Sequence, residues 1–365
     1  MEYRDIIIIV LVLLVIYYNL NNIYKLYKTI NNKLNPEHHY EVKSDLSLIK
    51  KEQGVLQEYI KSNISDHIKD KKLRDIILYA LGDGKRVRPV IVISIYRQLT
   101  KTTELPQYVI DAALAIEYFH CASLVIDDIM DDDDERRGKT SVHIKYGLTM
   151  AQLVAIILCS LAAQNLFNCF IELNKAHQDA NKGLPLILGN LISGLMKELG
   201  VGQYSDISMS QNLLELGNTI KDSVKIGKLK SSVEELIHKK TSSLFEFCFI
   251  MPWVLTNYNK SDSEIETGIS NMKNIARQFG LIFQISDDFE DVEKDAKRDG
   301  KNSVMNYVIN KGYYDAYKDY NKIVKKFKEL ATKENVLTDE IKQMVTYLND
   351  KAKIYYDNDK DKQYY

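Results

Sequence analysis

The chain has 365 residues, 45% hydrophobic and 27% charged, and its 49 basic and 50 acidic side chains leave a formal net charge of −1. That balance excludes wholesale disorder, collagen-like repeats and the uniform basic field of a nucleic-acid binder. With 5 Pro and 16 Gly the chain has too little punctuation for a sandwich or barrel of many short strands, so an all-α fold of long helices is expected.

Ile6 to Tyr18 form an unbroken apolar run. As a helix it spans roughly 20 Å against a hydrocarbon core of about 30 Å, a short span that thin membranes and snorkelling flanks accommodate. No small-residue cleavage site follows, since the first alanine is Ala80. An uncleaved anchor is therefore preferred to a signal peptide or a buried strand. Lys25, Lys28 and Lys33 follow the run, whereas Glu2, Arg4 and Asp5 precede it. The positive-inside rule then puts the C-terminal side in the cytosol, as in a single-pass membrane protein. The glycosylation sequons at Asn63 and Asn259 should accordingly be unmodified.

The expected organisation is an anchor over 1–24, a polar stalk over 25–44, one helical domain over 45–350 and a flexible charged tail over 351–365. Within the domain, Val109, Ile110, Ala113, Ile116, Cys121 and Leu124 recur at helical spacing, which predicts a helix of about 35 Å over Gln107–Asp131. Similar runs cover about 149–173, 184–199, 231–256, 262–293 and 312–332. Gly82, Gly84, Gly138, Gly147, Gly200, Gly202 and Gly300 mark expected breaks. Cys121, Cys159, Cys169 and Cys248 lie in separate apolar runs without metal-ligand spacing, and read as reduced core residues.

Two acidic segments stand apart: Asp127, Asp128 and Asp131 after CASLVI, and Asp287, Asp288 and Asp291 after GLIFQIS. Residues i and i+4 share a helix face, so Asp127 projects with Asp131 and Asp287 with Asp291. Like charges at that spacing repel, and a cluster at the end of a buried helix needs cations. Carboxylate oxygens without His or Cys suit magnesium, which keeps waters and bridges to substrate phosphates. A lone acidic run is usually a solvated turn; two such runs, each behind an apolar helix, are not. A calcium loop starting at Asp131 is excluded by Arg136 and Val142, where Gly and Glu would be needed.

The turn from Gly82 to Pro89 lies between two helical runs and carries Lys85, Arg86 and Arg88. It is not a P-loop, because Tyr79 and Arg86 occupy positions that need Gly and Ser/Thr. Its backbone N–H groups, with Lys85 and Arg88, could still grip an anion. Arg136 and Arg137 follow the first acidic segment closely and offer bidentate diphosphate donors.

Over about residues 75–310 the chain resembles the trans-isoprenyl diphosphate synthase family. The family's GGKRxRP appears as Gly82 to Pro89 with Asp83 inserted. Its first aspartate motif, ending in RRG, appears as Asp127 to Gly138, and its GQxxD as Gly202 to Asp206. Its KT pair appears as Lys240-Thr241, and its FQxxDDxxD as Phe283 to Asp291. The N-terminal anchor, and Asn306-Tyr307 where the family has GKxT, look similar to membrane-anchored trans-prenyltransferases of large DNA viruses. The resemblance implies an isoprenoid synthase bundle of long helices around a central cavity. It implies that Lys85, Arg88, His120 and Arg137 hold isopentenyl diphosphate, while Arg136, Lys240 and Gln284 contact the allylic diphosphate. Lys301 takes the remaining diphosphate-lysine position. Thr241 and Gln203, with Lys240, match positions that stabilise the cationic intermediate.

The implied chemistry joins isopentenyl diphosphate to dimethylallyl, geranyl or farnesyl diphosphate. Three Mg2+ ions on the two aspartate segments would make the allylic diphosphate a leaving group. Family positions four and five before the first aspartate stop growth at fifteen carbons when bulky. Here they are the small Ser123 and Ala122, and Phe119 lies eight before. The implied product is geranylgeranyl diphosphate. Alternatives are a longer polyprenyl product, a non-catalytic regulatory subunit and a terpene cyclase, which would not need Lys85 and Arg88. A homodimer is implied as well, with the catalytic domain facing the cytosol; the endoplasmic reticulum of a host cell is a candidate membrane.

Overall fold

The computed structural model describes residues 40–82, 84–216, 243–297 and 306–360. Internal contacts divide the chain into residues 1–41 and 42–365. The second unit is a helical bundle; the apolar N-terminal run and most of the stalk lie outside the described residues.

Helix α1 (Ser47–His67) buries Ile49, Leu56, Ile60 and Ile64, a stripe at helical spacing. Asp70 caps α2 (Lys71–Leu81), its carboxylate accepting the Leu73 N–H at 2.8 Å. Helix α3 (Val87–Thr100) buries every residue from Pro89 to Tyr96. Helix α4 (Gln107–Asp131) is buried around nearly its whole circumference along its first half. A helix apolar all round belongs at the centre of a bundle.

A hairpin follows, with β1 (Glu135–Arg136) antiparallel to β2 (Lys139–Thr140). Its turn residues Arg137 and Gly138 both have positive φ, 55° and 71°, the pattern of a type I′ turn. This is the one departure from an all-helical chain among the described residues. The chain continues through α5 (Val142–Tyr146), α6 (Leu148–Ala176), α7 (Leu184–Leu216) and α8 (Ser243–Thr256). Then come α9 (Asp262–Lys297), α10 (Tyr307–Lys311), α11 (Tyr313–Lys333) and α12 (Asp339–Asp359).

Helix α4 packs most extensively against α6, and α8 joins α3 to α9. Phe245 and Phe249 of α8 meet Phe279 of α9 at centroid distances of 5.0 and 5.7 Å, and Phe279 meets Phe327 of α11 at 5.5 Å. These edge and tilted contacts add to the area the rings bury. Asn63 faces inward, donating to Asn165 at 3.1 Å and accepting from the Tyr118 hydroxyl at 3.0 Å.

Two expectations are corrected. Helix α7 runs through Gly200 and Gly202, because one glycine costs a helix only about 1 kcal/mol and no proline or cap reinforces the break. The segment from Lys351, expected to be flexible, continues α12 to Asp359 and buries Lys351, Ala352, Tyr355 and Asp359. Ala352 and Tyr355 extend the inward stripe of Met344, Val345 and Leu348, so the charge of the segment hides an amphipathic helix. Three described helical segments are long and apolar enough to cross a membrane by length and composition alone: Gln107–Asp131, Leu148–Ala176 and Leu184–Gly202. The first is 78% buried inside the bundle, so its apolarity is accounted for by the core.

If α12 is docked through its last turns, Tyr355→Ala should destabilise the protein by about 3 kcal/mol, the cost of emptying an aromatic site in a core. Chemical denaturation measures it; a free tail would show no change.

Candidate active site

The first acidic cluster ends α4. Asp128 is buried, and Arg136 reaches it from the hairpin, Nε donating to Oδ1 at 2.6 Å with Nη2 also in contact. Burial raises the Asp128 pKa and Arg136 works against the rise. Asp131 is exposed, while Asp127 is half-buried at the rim of a cavity.

The second cluster lies on α9. Both oxygens of Asp288 are engaged: Oδ1 accepts from Gln284 Nε2 and Oδ2 from the Tyr307 N–H, each at 2.8 Å. Asn306 donates to the Asp288 carbonyl at 2.8 Å, and its own Oδ1 caps α10 by accepting the Val308 and Ile309 N–H groups. Burial pushes the Asp288 carboxyl up to about 8 and that of Asp291 up to about 6. Asp287 is one-third exposed, and its Oδ1 accepts from Lys351 Nζ of α12 at 2.6 Å. Lys351 also contacts Glu290. Burial opposes the Lys351 charge, but Asp287 and Glu290 outweigh it and its pKa is raised.

The basic residues gather on the turn between α2 and α3. Arg86 has φ 48° and a buried guanidinium. It donates to Glu117 Oε1 at 2.6 Å, to the Leu81 carbonyl at 2.9 Å, to Gln57 Oε1 at 3.0 Å and to the Gly82 carbonyl. That set of bonds locks the turn. A Cβ at position 84 would collide with the Arg137 guanidinium, so glycine lets Arg137 lie against the turn. Arg88, in the first turn of α3, is 3.0 Å from His120 Nε2, and its guanidinium lies 4.5 Å from the Phe245 ring centroid. Burial, then Arg88, Arg137, Arg86 and Arg136, lower the His120 pKa well below its ordinary value. The neutral ring therefore accepts the Arg88 N–H, arginine being unable to accept. Asp287 and Glu117 both lie within the electrostatic reach of Arg88. Lys85 is exposed, its ammonium 5.2 Å from the Tyr347 ring centroid.

A cavity of about 430 Å³ opens beneath Asp127. Ser123, Ala122, Phe119 and Ile116 form its α4 wall; Cys159, Met196 and Phe247 come from α6, α7 and α8. Asp127 to Ile116 spans about 16 Å of helix. Of the expected site residues, Arg88, His120 and Arg137 are thus brought together, while the exposed Lys85 side chain lies by Tyr347 of α12, and the three expected chain-length residues line one cavity. Lys240, Thr241 and Lys301 lie outside the described residues, and Gln203 is described only as helical backbone of α7.

Sequence reasoning missed Glu117 and Lys351. Glu117 had a signal, a lone acid inside the apolar stretch AALAIEYF. Lys351 had none, sitting in a charged segment. Among the described residues no three His, Cys, Asp or Glu side chains form a closed metal cage. The donor set still fits magnesium, which takes one or two carboxylates and completes its sphere with water and phosphate. The ridges also attract the chain's own cations, Arg136 at Asp128 and Lys351 at Asp287.

This architecture is that of isoprenoid synthases: an Isoprenoid Synthase family member from Thermotoga neapolitana matches with a TM-score of 0.59 and 26% identity, over 82% of this chain and 97% of that one. The Polyprenyl synthetase family model matches residues 70–348, and the chain belongs to that family. It is 33% identical over 221 residues to the trans-prenyltransferase of African swine fever virus, a stretch covering 58% of each chain. It is 29% identical over 249 residues to a short chain isoprenyl diphosphate synthase of Methanocaldococcus jannaschii, covering 68% of this chain and 64% of the relative. The matched stretches thus span less than two thirds of these relatives' own length.

Glu117→Ala should destabilise the protein by about 3 kcal/mol, because it leaves the buried Arg86 charge without its carboxylate. Denaturant unfolding reads the loss.

Proposed function

We propose that the protein is a magnesium-dependent trans-prenyltransferase that condenses an allylic diphosphate with isopentenyl diphosphate and makes geranylgeranyl diphosphate. The observation that carries the reading is an apolar cavity rimmed by Asp127, with a half-buried Arg88–His120 pair near by. Lys85, Arg88, His120 and Arg137 hold the isopentenyl diphosphate head. Arg136, Lys240, Gln284 and Lys301 serve the allylic diphosphate, and Thr241 and Gln203 face the developing cation with their dipoles. Asp127, Asp131, Asp287 and Asp291 would hold the metal. Asp128 and Asp288, which the sequence also offers to the metal, are engaged by Arg136 and by Gln284 and the Tyr307 N–H, and in this reading they position the two clusters. Bound magnesium, three ions in this reading, would neutralise the allylic diphosphate and favour its departure. The apolar walls keep water from the reacting carbon, which would otherwise end as an alcohol.

A homodimer is supported by α6. Leu153, Ile156, Phe167 and Ile171 are 44–68% exposed and fall within about 60° of one another around the helix, an unpartnered apolar stripe. The N-terminal run anchors the protein, with stalk and enzyme domain on the cytosolic side, as the flanking lysines favour. The cavity passes Phe119 and reaches Ile116, which favours longer polyprenyl diphosphates as the second reading.

The full chain in detergent, given magnesium, labelled isopentenyl diphosphate and dimethylallyl, geranyl or farnesyl diphosphate, should yield a twenty-carbon diphosphate. No elongation would favour a regulatory subunit, and a cyclised hydrocarbon a cyclase. Asp127→Ala should cut turnover by about 100-fold or more with circular dichroism unchanged. Phe119→Ala should lengthen the products by one or more isoprene units on chromatography if Phe119 is the floor of the cavity.

A further inference from the structure

Asp287, Glu290 and Asp291 crowd one turn of α9, and like charges at this spacing repel. Lys294 lies within electrostatic reach of Asp291, and the cation that meets Asp287 and Glu290 comes from α12. Lys351 Nζ is 2.6 Å from Asp287 Oδ1 and contacts Glu290 Oε2, 64 and 61 residues away in sequence. The Lys351 side chain is 6% exposed, whereas Asp287 and Glu290 are 36% and 32% exposed. An ammonium this buried persists only when paired.

Lys351 cannot swing away as a surface lysine would. Ser286 Oγ donates to the Leu348 carbonyl at 3.1 Å and ties α9 to α12 beside it. Tyr356 stacks on Tyr317 of α11 at 4.2 Å, and Ala352 and Tyr355 are buried. Asp287 keeps its second oxygen, Oδ2, without a hydrogen bond among the described residues. The carboxylate thus already neutralises one cation and still offers an oxygen to another.

We propose that Lys351 is a resident counterion of the second aspartate cluster, competing with divalent ions for Asp287 and Glu290 and so setting the magnesium concentration the protein needs. This rests on the magnesium-dependent reading above. In the metal-free protein the ammonium cancels one of the three carboxylate charges, so the helices pack without a metal. For an arriving ion the same ammonium lowers the local negative charge and holds one Asp287 oxygen.

The test is thermal unfolding of the full chain in detergent against a magnesium titration, for wild type, Lys351→Met and Lys351→Arg. Without metal, Lys351→Met should unfold at a lower temperature than wild type. Its midpoint should rise more on adding magnesium, with the half-saturating concentration lower by about threefold or more. Lys351→Arg, which keeps the charge, should follow wild type. Lys351→Gln gives the same comparison should Lys351→Met fail to fold. A half-saturating concentration equal to or above that of wild type overturns the proposal and leaves Lys351 as a tie between helices. Prenyl transfer by wild type, measured alongside, separates the two claims: transfer with an unchanged magnesium response in the variant sinks only the counterion. A wild type that magnesium neither stabilises nor activates sinks both.

Discussion

Mutual repulsion of carboxylates, at the end of one core helix and within another, is the constraint on which the site depends. Asp127, Asp128 and Asp131 end α4, and Asp287, Asp288 and Asp291 sit on α9 behind apolar turns. Crowding such groups costs free energy unless cations or hydrogen-bond donors meet them. The bundle meets some and leaves others open. Arg136 takes Asp128, Lys351 takes one oxygen of Asp287, and Gln284 with the Tyr307 N–H take Asp288. Asp287 Oδ2 accepts no hydrogen bond among the described residues.

The basic side of the site obeys a complementary rule. A buried arginine needs an acceptor, and an acceptor that is also a base must stay neutral beside it. Arg86 spends both Nη groups on Glu117, Gln57 and backbone carbonyls, so it serves the turn and not a ligand. Arg88 rests on the Phe245 ring and on His120, both neutral partners, and no carboxylate forms an ion pair with it among the described residues, although Glu117 and Asp287 lie within electrostatic reach. Arg136 stands between these cases, paired with Asp128 yet one-third exposed, whereas Arg137 lies against Gly84 at the turn.

What the sequence made legible was local. The aspartate spacing, the Gly-Lys-Arg turn and the α4 wall of small residues are each contained in one segment, and helix periodicity orients them. What it hid was long-range. The Arg86–Glu117 pair joins residues 31 apart, and Lys351 reaches Asp287 across 64. Neither pairing leaves a periodic trace. The segment after Lys351 looked like a tail because its charged residues outnumber the two positions, Ala352 and Tyr355, that decide its docking. In the RRG segment the charges mask a turn signal, since Arg137-Gly138 forms the two-residue turn of the hairpin.

Helix α4 links the charged rim to the depth of the cavity. The helix that ends in Asp127 also carries Ser123, Phe119 and Ile116 along the cavity wall, at fixed rises of about 6, 12 and 16 Å from that aspartate. Packing on nearly every side keeps α4 from shifting, so it acts as a rigid ruler. The opposite wall differs. Over Leu184–Gly202 helix α7 buries little of its apolar face, and Met196 and Tyr204, which also line the cavity, are 44% and 71% exposed. A wall with few packing partners yields more readily than one locked on all sides. Depth is therefore set by which side chain stands at which rise on α4, the more tightly packed of the two walls.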